Sequence, residues 1–222
     1  MASSPPSRLT PLQNDLLHGF FAREKRFFLT GGGALAGFYF GHRTTEDLDF
    51  FSAPGPELPE VAREVEDVAR ACGAEAKVTS AHRDFHRLVT RRGEEACIVD
   101  LVIDRAAMIE TEKAQFGEVR VDTRREIAAN KIFTLVSRSE IKDLVDLWFL
   151  VRSGIDLHQA FADAQKKEGN AEPATLAWIL DELTIGPRAA LPGGFDPAEL
   201  DGFRKDFVRL LRSEAFKMAS KS

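Results

Sequence analysis

The sequence predicts an α+β protein: a mixed sheet flanked by helices, followed by a C-terminal helical bundle. Three observations carry this prediction. Short runs with strand-like alternation or β-branched content are concentrated before residue 124. Helical stretches opened by glycine or proline lie between them. Beyond residue 124, apolar residues recur every three to four positions in five successive stretches. With no internal repeat or long low-complexity tract, the natural division is a sheet-bearing core over 1–123 and a helical domain over 124–222.

In chain order, residues 11–23 read as a helix, 26–30 as a short strand, and 34–40 as a helix entered through Gly31, Gly32 and Gly33. Residues 47–51 read as a strand. Pro54, Gly55, Pro56 and Pro59 then break the chain before a helix over 60–71, where Val61, Val65, Val68 and Ala69 fall on one stripe. Strands follow at 77–83 and 85–92 as a hairpin or meander, at 96–103 as a β-branched buried strand, and at 118–121 as an edge. The helices of the second half are expected over 125–138, 141–152, 157–167, 174–183 and 197–218. Phe203, Phe207, Leu210 and Leu211 form the core stripe of the last one, Ser139 is read as the N-cap of the second, and Trp148 and Trp178 are placed in the core.

Composition sets the class. With 222 residues and 44% hydrophobic content, the chain can bury a substantial core without staples. Its two cysteines, Cys72 and Cys97, lack CxxC spacing and histidine neighbours, so they read as small core residues in a reducing compartment. No apolar run approaches the roughly 20 residues of a membrane span, and the stretch MASSPPSRLTP has no apolar centre of a signal peptide. The expectation is a cytoplasmic protein with no membrane partner. A net charge of −5 argues against broad adhesion to nucleic acid and leaves a local basic surface open.

The chemistry is concentrated in two neighbouring segments. Phe28-Leu29-Thr30-Gly31-Gly32-Gly33 is a glycine turn opening a helix, where unpaired N–H groups can face phosphate and a side chain would hold it away. Alone, such a turn is equally well structural. In Asp47-Leu48-Asp49-Phe50, the carboxylates stand two apart on a strand and project from one face, while Leu48 and Phe50 point to the core. Carboxylates crowded this way need a hard divalent ion with oxygen ligands: Mg²⁺, with Mn²⁺ as the alternative. A third acid is expected from a neighbouring strand. Asp100, set among the apolar residues of Cys97-Ile98-Val99-Asp100-Leu101, is preferred to Asp104 at the strand end.

Glycine turn, DxD strand and third acid together resemble the DNA polymerase β-like nucleotidyltransferase superfamily. Leu29 to Leu35, His42-Arg43-Thr44-Thr45-Glu46-Asp47-Leu48-Asp49, Ile127-Ala128-Ala129-Asn130-Lys131 and Arg138 to Leu147, in that order, look like the AbiEii toxin family. Its members include abortive-infection and toxin–antitoxin nucleotidyltransferases. The matching blocks fall between about residues 28 and 150, and the helical tail carries no matching motif. Gly33 departs from relatives that often carry Ser or Thr there. Glu126 stands where Asp commonly begins the lysine-bearing helix, as a cap or polar contact.

The resemblance implies a two-metal transfer of a nucleoside monophosphate from a triphosphate to an acceptor hydroxyl, tRNA or another RNA, with growth inhibition as the result and a cognate antitoxin as partner. Asp47, Asp49 and Asp100 would hold metal; Gly31, Gly32, Gly33, Arg43, Thr44, Lys131, Arg138 and Lys142 would bind nucleotide. Asp143 or Asp146 is implied to be a catalytically important acid, and the helical domain is expected to complete the nucleotide site. By helical period, Lys131 and Arg138 emerge on one flank, within reach of a single phosphate, while Lys142, Asp143 and Asp146 share an arc. Two alternatives stay open: transfer to a protein side chain or small molecule, and a nucleotide-binding module without turnover. Arg43 is read either as a phosphate ligand or as a surface partner of Glu46. His42, His82 and His86 show no ligand spacing. Arg83, Arg87, Arg91 and Arg92 read either as a basic rim or as solvated hairpin charges.

Overall fold

The computed structural model describes residues 7–167 and 171–220, so residues 1–6 of the N-terminal stretch lie outside the described residues. The chain divides into two compact units, Met1–Arg105 with Glu112–Thr123, and Ala106–Thr111 with Arg124–Ser222. Segment 106–111 thus belongs to the second unit, although it interrupts the first in sequence.

The first unit is built on strands β1 (Phe28–Thr30), β2 (Asp47–Ser52), β3 (Glu75–His82), β4 (Phe85–Arg92), β5 (Glu95–Ile103), β6 (Ala114–Phe116) and β7 (Val119–Val121). They form one mixed sheet in the order β3-β4-β5-β2-β1-β7-β6. β2 runs parallel to β5 and β1 parallel to β7, while the other neighbours are antiparallel. Helices α1 (Pro11–Arg23) and α3 (Leu58–Ala71) pack on the sheet's apolar face. The alternation that selects this face is visible in β2, where Leu48, Phe50 and Ser52 are buried and the intervening residues half-buried. Phe20 of α1 stacks on Phe50 with centroids 4.5 Å apart, and Phe21 meets the same ring edge-on. Burying each ring contributes about 1.5–3 kcal/mol.

α1 begins in a capping box: Gln13 N donates to Thr10 Oγ1, and Thr10 N donates to Gln13 Oε1. Gln13 Nε2 also donates to the Thr45 carbonyl at 2.9 Å, so this helix start fixes the loop that delivers β2. The glycine-entered helix differs from its expected form. α2 starts at Gly31 itself (Gly31–Ala34) and widens into a π-helical segment, Leu35–Tyr39. β6 was not anticipated; three half-exposed or exposed residues carry no strand signature.

The second unit holds α4 (Arg124–Ser137), α5 (Ile141–Arg152), α6 (Leu157–Lys167), α7 (Pro173–Glu182) and α8 (Pro197–Ala219). α4 packs against α5, α6 and α7, and α8 against α5 and α7. Segment 106–111 is tied to α4 because Ile109 N and Glu110 N both donate to Glu126 Oε2 at 2.8 Å. Lys167 neutralises the same buried carboxylate. Glu126 therefore holds another segment of chain.

Four sequence expectations fail here in whole or in part. Ser139 is not the cap of α5; it takes a left-handed turn at φ 51° and donates to Leu135 O, while Glu140 is the N-cap. Trp178 is 65% exposed, because the buried stripe of α7 runs through Leu176, Ala177 and Leu180. Trp148 is half-buried and packs edge-on against Phe195. In α8, Phe207 and Leu211 are buried as expected, joined by Leu200 and Val208, whereas Phe203 and Leu210 are only half-buried. Among the described residues no helix is long and apolar enough to cross a membrane.

Candidate active site

The site on the first unit begins at the end of β1. Gly31 has φ 62°, which favours glycine, and a Cβ there would collide with Asp49 Oδ2. Glycine is therefore required by both backbone and neighbour. Gly32 abuts the Arg43 guanidinium, since a Cβ on it would stand 2.7 Å from Nη2 and 3.3 Å from Thr45 Oγ1. Gly33 is buried against Leu29 and the Asp47 carbonyl, so the missing side chain at that position allows close packing of helix on strand.

Beneath the turn lies a buried charge pair. Lys113 Nζ is 2.8 Å from Asp122 Oδ1, with both side chains 1% exposed. Thr30 Oγ1 donates to the other oxygen, Oδ2, at 2.8 Å. The Lys113 ammonium also lies 4.3 Å from the centre of the Phe28 ring. Thr30, which precedes the glycine turn, is thereby held by the residue just after β7 and tied through it to the residue just before β6.

Strand pairing then assembles the acids. Asp47 and Asp49 are half-buried on the sheet face opposite Leu48 and Phe50. Parallel pairing of β2 with β5 sets Asp49 opposite Asp100 and Asp47 opposite Ile98. Asp104 lies past the end of β5, where its N–H donates to Ser52 O. Antiparallel pairing of β4 with β5 sets Arg87 opposite Asp100. Arg87 grips both oxygens of that buried carboxylate, Nε on Oδ1 at 2.8 Å and Nη2 on Oδ2 at 2.7 Å. Those bonds, with the charges of Asp100, Asp47 and Asp49, raise the guanidinium's pKa further despite its partial burial. All three acids thus lie within electrostatic reach of one cation.

Among the described residues no three His, Cys, Asp or Glu side chains are already gathered as a metal cage. The donor set nevertheless fits a hard ion. Asp47 and Asp49 offer oxygen ligands on one face, and their half-exposure leaves room for the waters and phosphates that Mg²⁺ retains. Asp100 is in register to join them, with its oxygens engaged by Arg87.

The second cluster belongs to the helical unit. Lys131 is 4% exposed, and its ammonium contacts Asp143 Oδ1 at 2.7 Å and Asp146 Oδ2 at 2.6 Å, both carboxylates being fully buried. Arg138 closes on Asp143 through Nε at 2.9 Å and Nη2 at 3.0 Å. Lys131 and Arg138 therefore converge on a carboxylate. Burial would push the Asp143 carboxyl up, but the Lys131 charge and the hydrogen bonds of Arg138 and Lys131 hold it below its ordinary value. Burial would likewise lower the Lys131 pKa, yet Asp146 and Asp143 raise it. Lys142 stands apart, paired with Glu140 at 2.9 Å.

The remaining candidates are placed as follows. Arg43 is 6% exposed and donates to the Thr44 carbonyl, while the Thr44 side chain is exposed. Thr45, not singled out in the sequence, is the hydroxyl beside Gly32. Its only signal was proximity to the DxD strand. Arg87 was grouped with solvated or rim charges and instead grips Asp100; the pairing is non-local and leaves no mark in a short motif. His86 is buried, and burial, with the neighbouring His82 charge, lowers its pKa.

A mixed sheet carrying a glycine turn and a DxD strand side by side is a nucleotidyltransferase fold. The crystal structure of JHP933 from Helicobacter pylori matches with a TM-score of 0.62 at 18% identity, covering 95% of this chain and 93% of that one. That of a candidate nucleotidyltransferase from H. pylori matches at 0.60 and 18% identity, covering 93% and 94%. A search of curated proteins found no match. The family model of the AbiEii nucleotidyl transferase toxin, of type IV toxin–antitoxin systems, matches residues 15–221. The chain belongs to this AbiEii family.

Proposed function

We propose that the protein transfers a nucleoside monophosphate from a nucleoside triphosphate to a hydroxyl of an RNA acceptor, tRNA foremost, and acts as the toxin of a toxin–antitoxin or abortive-infection pair. The observation that carries this reading is the register that sets Asp49 opposite Asp100, with Asp47 on the same face and Gly31 against the Asp49 carboxylate. Asp47 and Asp49 would hold Mg²⁺ or Mn²⁺, with Asp100 as third acid. Bound there, divalent ions would polarise the α-phosphate and the attacking hydroxyl in a two-metal displacement. The acceptor hydroxyl would lose its proton to solvent as its oxygen bonds to the α-phosphorus, the bond from that phosphorus to the bridging oxygen would break, and pyrophosphate would leave with the bridging oxygen.

The chain's own part is positioning. The turn at Gly31 and Gly32 brings backbone close to phosphate without an obstructing side chain, and Arg43 lies directly behind Gly32 to meet negative charge. The Lys131, Asp143, Asp146 and Arg138 network of the helical unit is proposed, from the family resemblance, to matter for activity. Each of its carboxylates has a cationic partner, so its contribution is to fix a geometry. The test is transfer of label from each of the four α-labelled triphosphates onto total RNA with Mg²⁺, comparing wild type with Asp47→Ala and Asp49→Ala. Labelled RNA from the wild type alone supports the proposal. Label on protein or metabolites, or on nothing, refutes the RNA acceptor.

A further inference from the structure

Arg87 is the feature of the sheet face that a carboxylate site does not by itself require. It reaches across from the neighbouring strand, and its fork occupies both oxygens of Asp100. An acid engaged at both oxygens by a guanidinium is a weaker metal ligand, because one lone pair on each oxygen is taken and its charge is already balanced. We propose that Arg87 is a resident counter-cation of Asp100 that competes with a divalent ion for this third carboxylate. This inference rests on the reading of Asp47, Asp49 and Asp100 as the metal-holding acids.

The asymmetry of the pair decides which partner moves. The Asp100 side chain is 9% exposed, short, and fixed in the middle of β5, whereas that of Arg87 is 43% exposed and long. The guanidinium also has somewhere to go: its Cζ already lies 5.6 Å from the centre of the half-buried Phe85 ring, on the same face of the same strand. Released from Asp100, it remains beside that ring and next to the acids, placed to meet phosphate. Metal entry and the Arg87–Asp100 pair then oppose one another, and Arg87 lowers the affinity of these acids for divalent ions. Nucleotide, which brings negative charge for Arg87 to turn toward, favours the released state.

The test is titration of the full chain with Mn²⁺ in the absence of nucleotide, reading free Mn²⁺ by electron paramagnetic resonance. Removing a unit positive charge from the edge of a divalent site tightens binding by about tenfold or more, so Arg87→Gln is expected to bind Mn²⁺ that much more tightly than wild type. Arg87→Lys, which keeps the charge and breaks the fork, should fall between them. Adding Asp100→Asn to Arg87→Gln should cancel the gain. If Arg87→Gln, or Arg87→Lys where the glutamine variant does not fold, binds Mn²⁺ no more tightly than wild type while Asp49→Asn binds it more weakly, the Arg87 inference is overturned and the metal-site reading survives. Equal binding by Asp49→Asn and wild type overturns both.

Discussion

Replacing Lys131 by methionine separates a structural from a catalytic account of the helical unit. In the folded chain the Lys131 ammonium is the contact between two fully buried carboxylates, 2.7 Å from Asp143 and 2.6 Å from Asp146. Methionine fills the stem's volume and deletes the charge. Arg138 still holds Asp143 through two bonds, whereas Asp146 loses its 2.6 Å ion pair. Breaking a buried pair from one side costs about 3–5 kcal/mol, because the remaining charge is stranded. At about 2–4 °C per kcal/mol for a chain of this size, the melting midpoint should fall by roughly 6–20 °C. The assay is thermal unfolding by circular dichroism at neutral pH. Adding Asp146→Leu removes the buried charge that lost the lysine and should restore more than half of the loss. A Lys131→Met protein that melts within about 1 °C of wild type would refute the reasoning, since it would mean that the buried charges do not depend on one another.

Four further outcomes follow from the same geometry. Asp49→Asn, on a half-buried position of the open face, should change stability by less than about 1 kcal/mol while lowering RNA labelling by at least about 10²-fold; equal losses of both would sink it. The Lys131 network should leave stability flat from about pH 4 to pH 10: the lowered Asp143 pKa gives stability present above the ordinary carboxylate value and lost as pH falls through the folded one, and the raised Lys131 pKa gives stability lost only above the ordinary amine range. Urea midpoints across that range check it, and a step near neutrality attributable to this network would contradict it. Burial pushes the Cys97 thiol up to about 12, so a chromogenic disulfide at neutral pH should find that thiol only after unfolding, while the half-buried Cys72 reacts in the native chain. Gly31→Ala should cost about 1–3 kcal/mol through its left-handed backbone and weaken Mn²⁺ binding, because the methyl displaces the Asp49 carboxylate; unchanged binding would separate the turn from the metal site.

Periodicity was enough to read what depends on near neighbours. The two-residue period of β2 places Asp47 and Asp49 opposite Leu48 and Phe50, and the three-to-four-residue stripe of α3 follows Val61, Val65 and Val68. What the sequence hid depends on pairing between distant strands or on a turn. Nothing near Arg87 distinguishes it from Arg83 or Arg91; only the register of β4 on β5 brings it to Asp100. The Lys113–Asp122 pair is likewise hidden, since it is made by one segment folding back on the next at β6 and β7. Glu126 looks like a first-turn acid of α4, yet its oxygens serve a segment about sixteen residues earlier.

The two acid clusters carry the same residue types and differ in what surrounds them. Asp143 and Asp146 are fully buried, and Lys131 and Arg138 supply opposite charge at bonding distance. A carboxylate in that state is costly to move and poorly placed to exchange ligands. Asp47 and Asp49 are half-buried on the sheet face opposite Leu48 and Phe50, so part of each carboxylate is within reach of solvent and can exchange ligands more readily. Asp100 is intermediate, buried like the first group yet gripped by a cation that is itself partly exposed. Exchange of ligands at a metal needs acids of the second kind, and a fixed frame needs acids of the first. On physical grounds the half-buried acids of the DxD strand suit ligand exchange better than the Lys131 network does, which is why the proposed reaction is assigned to them.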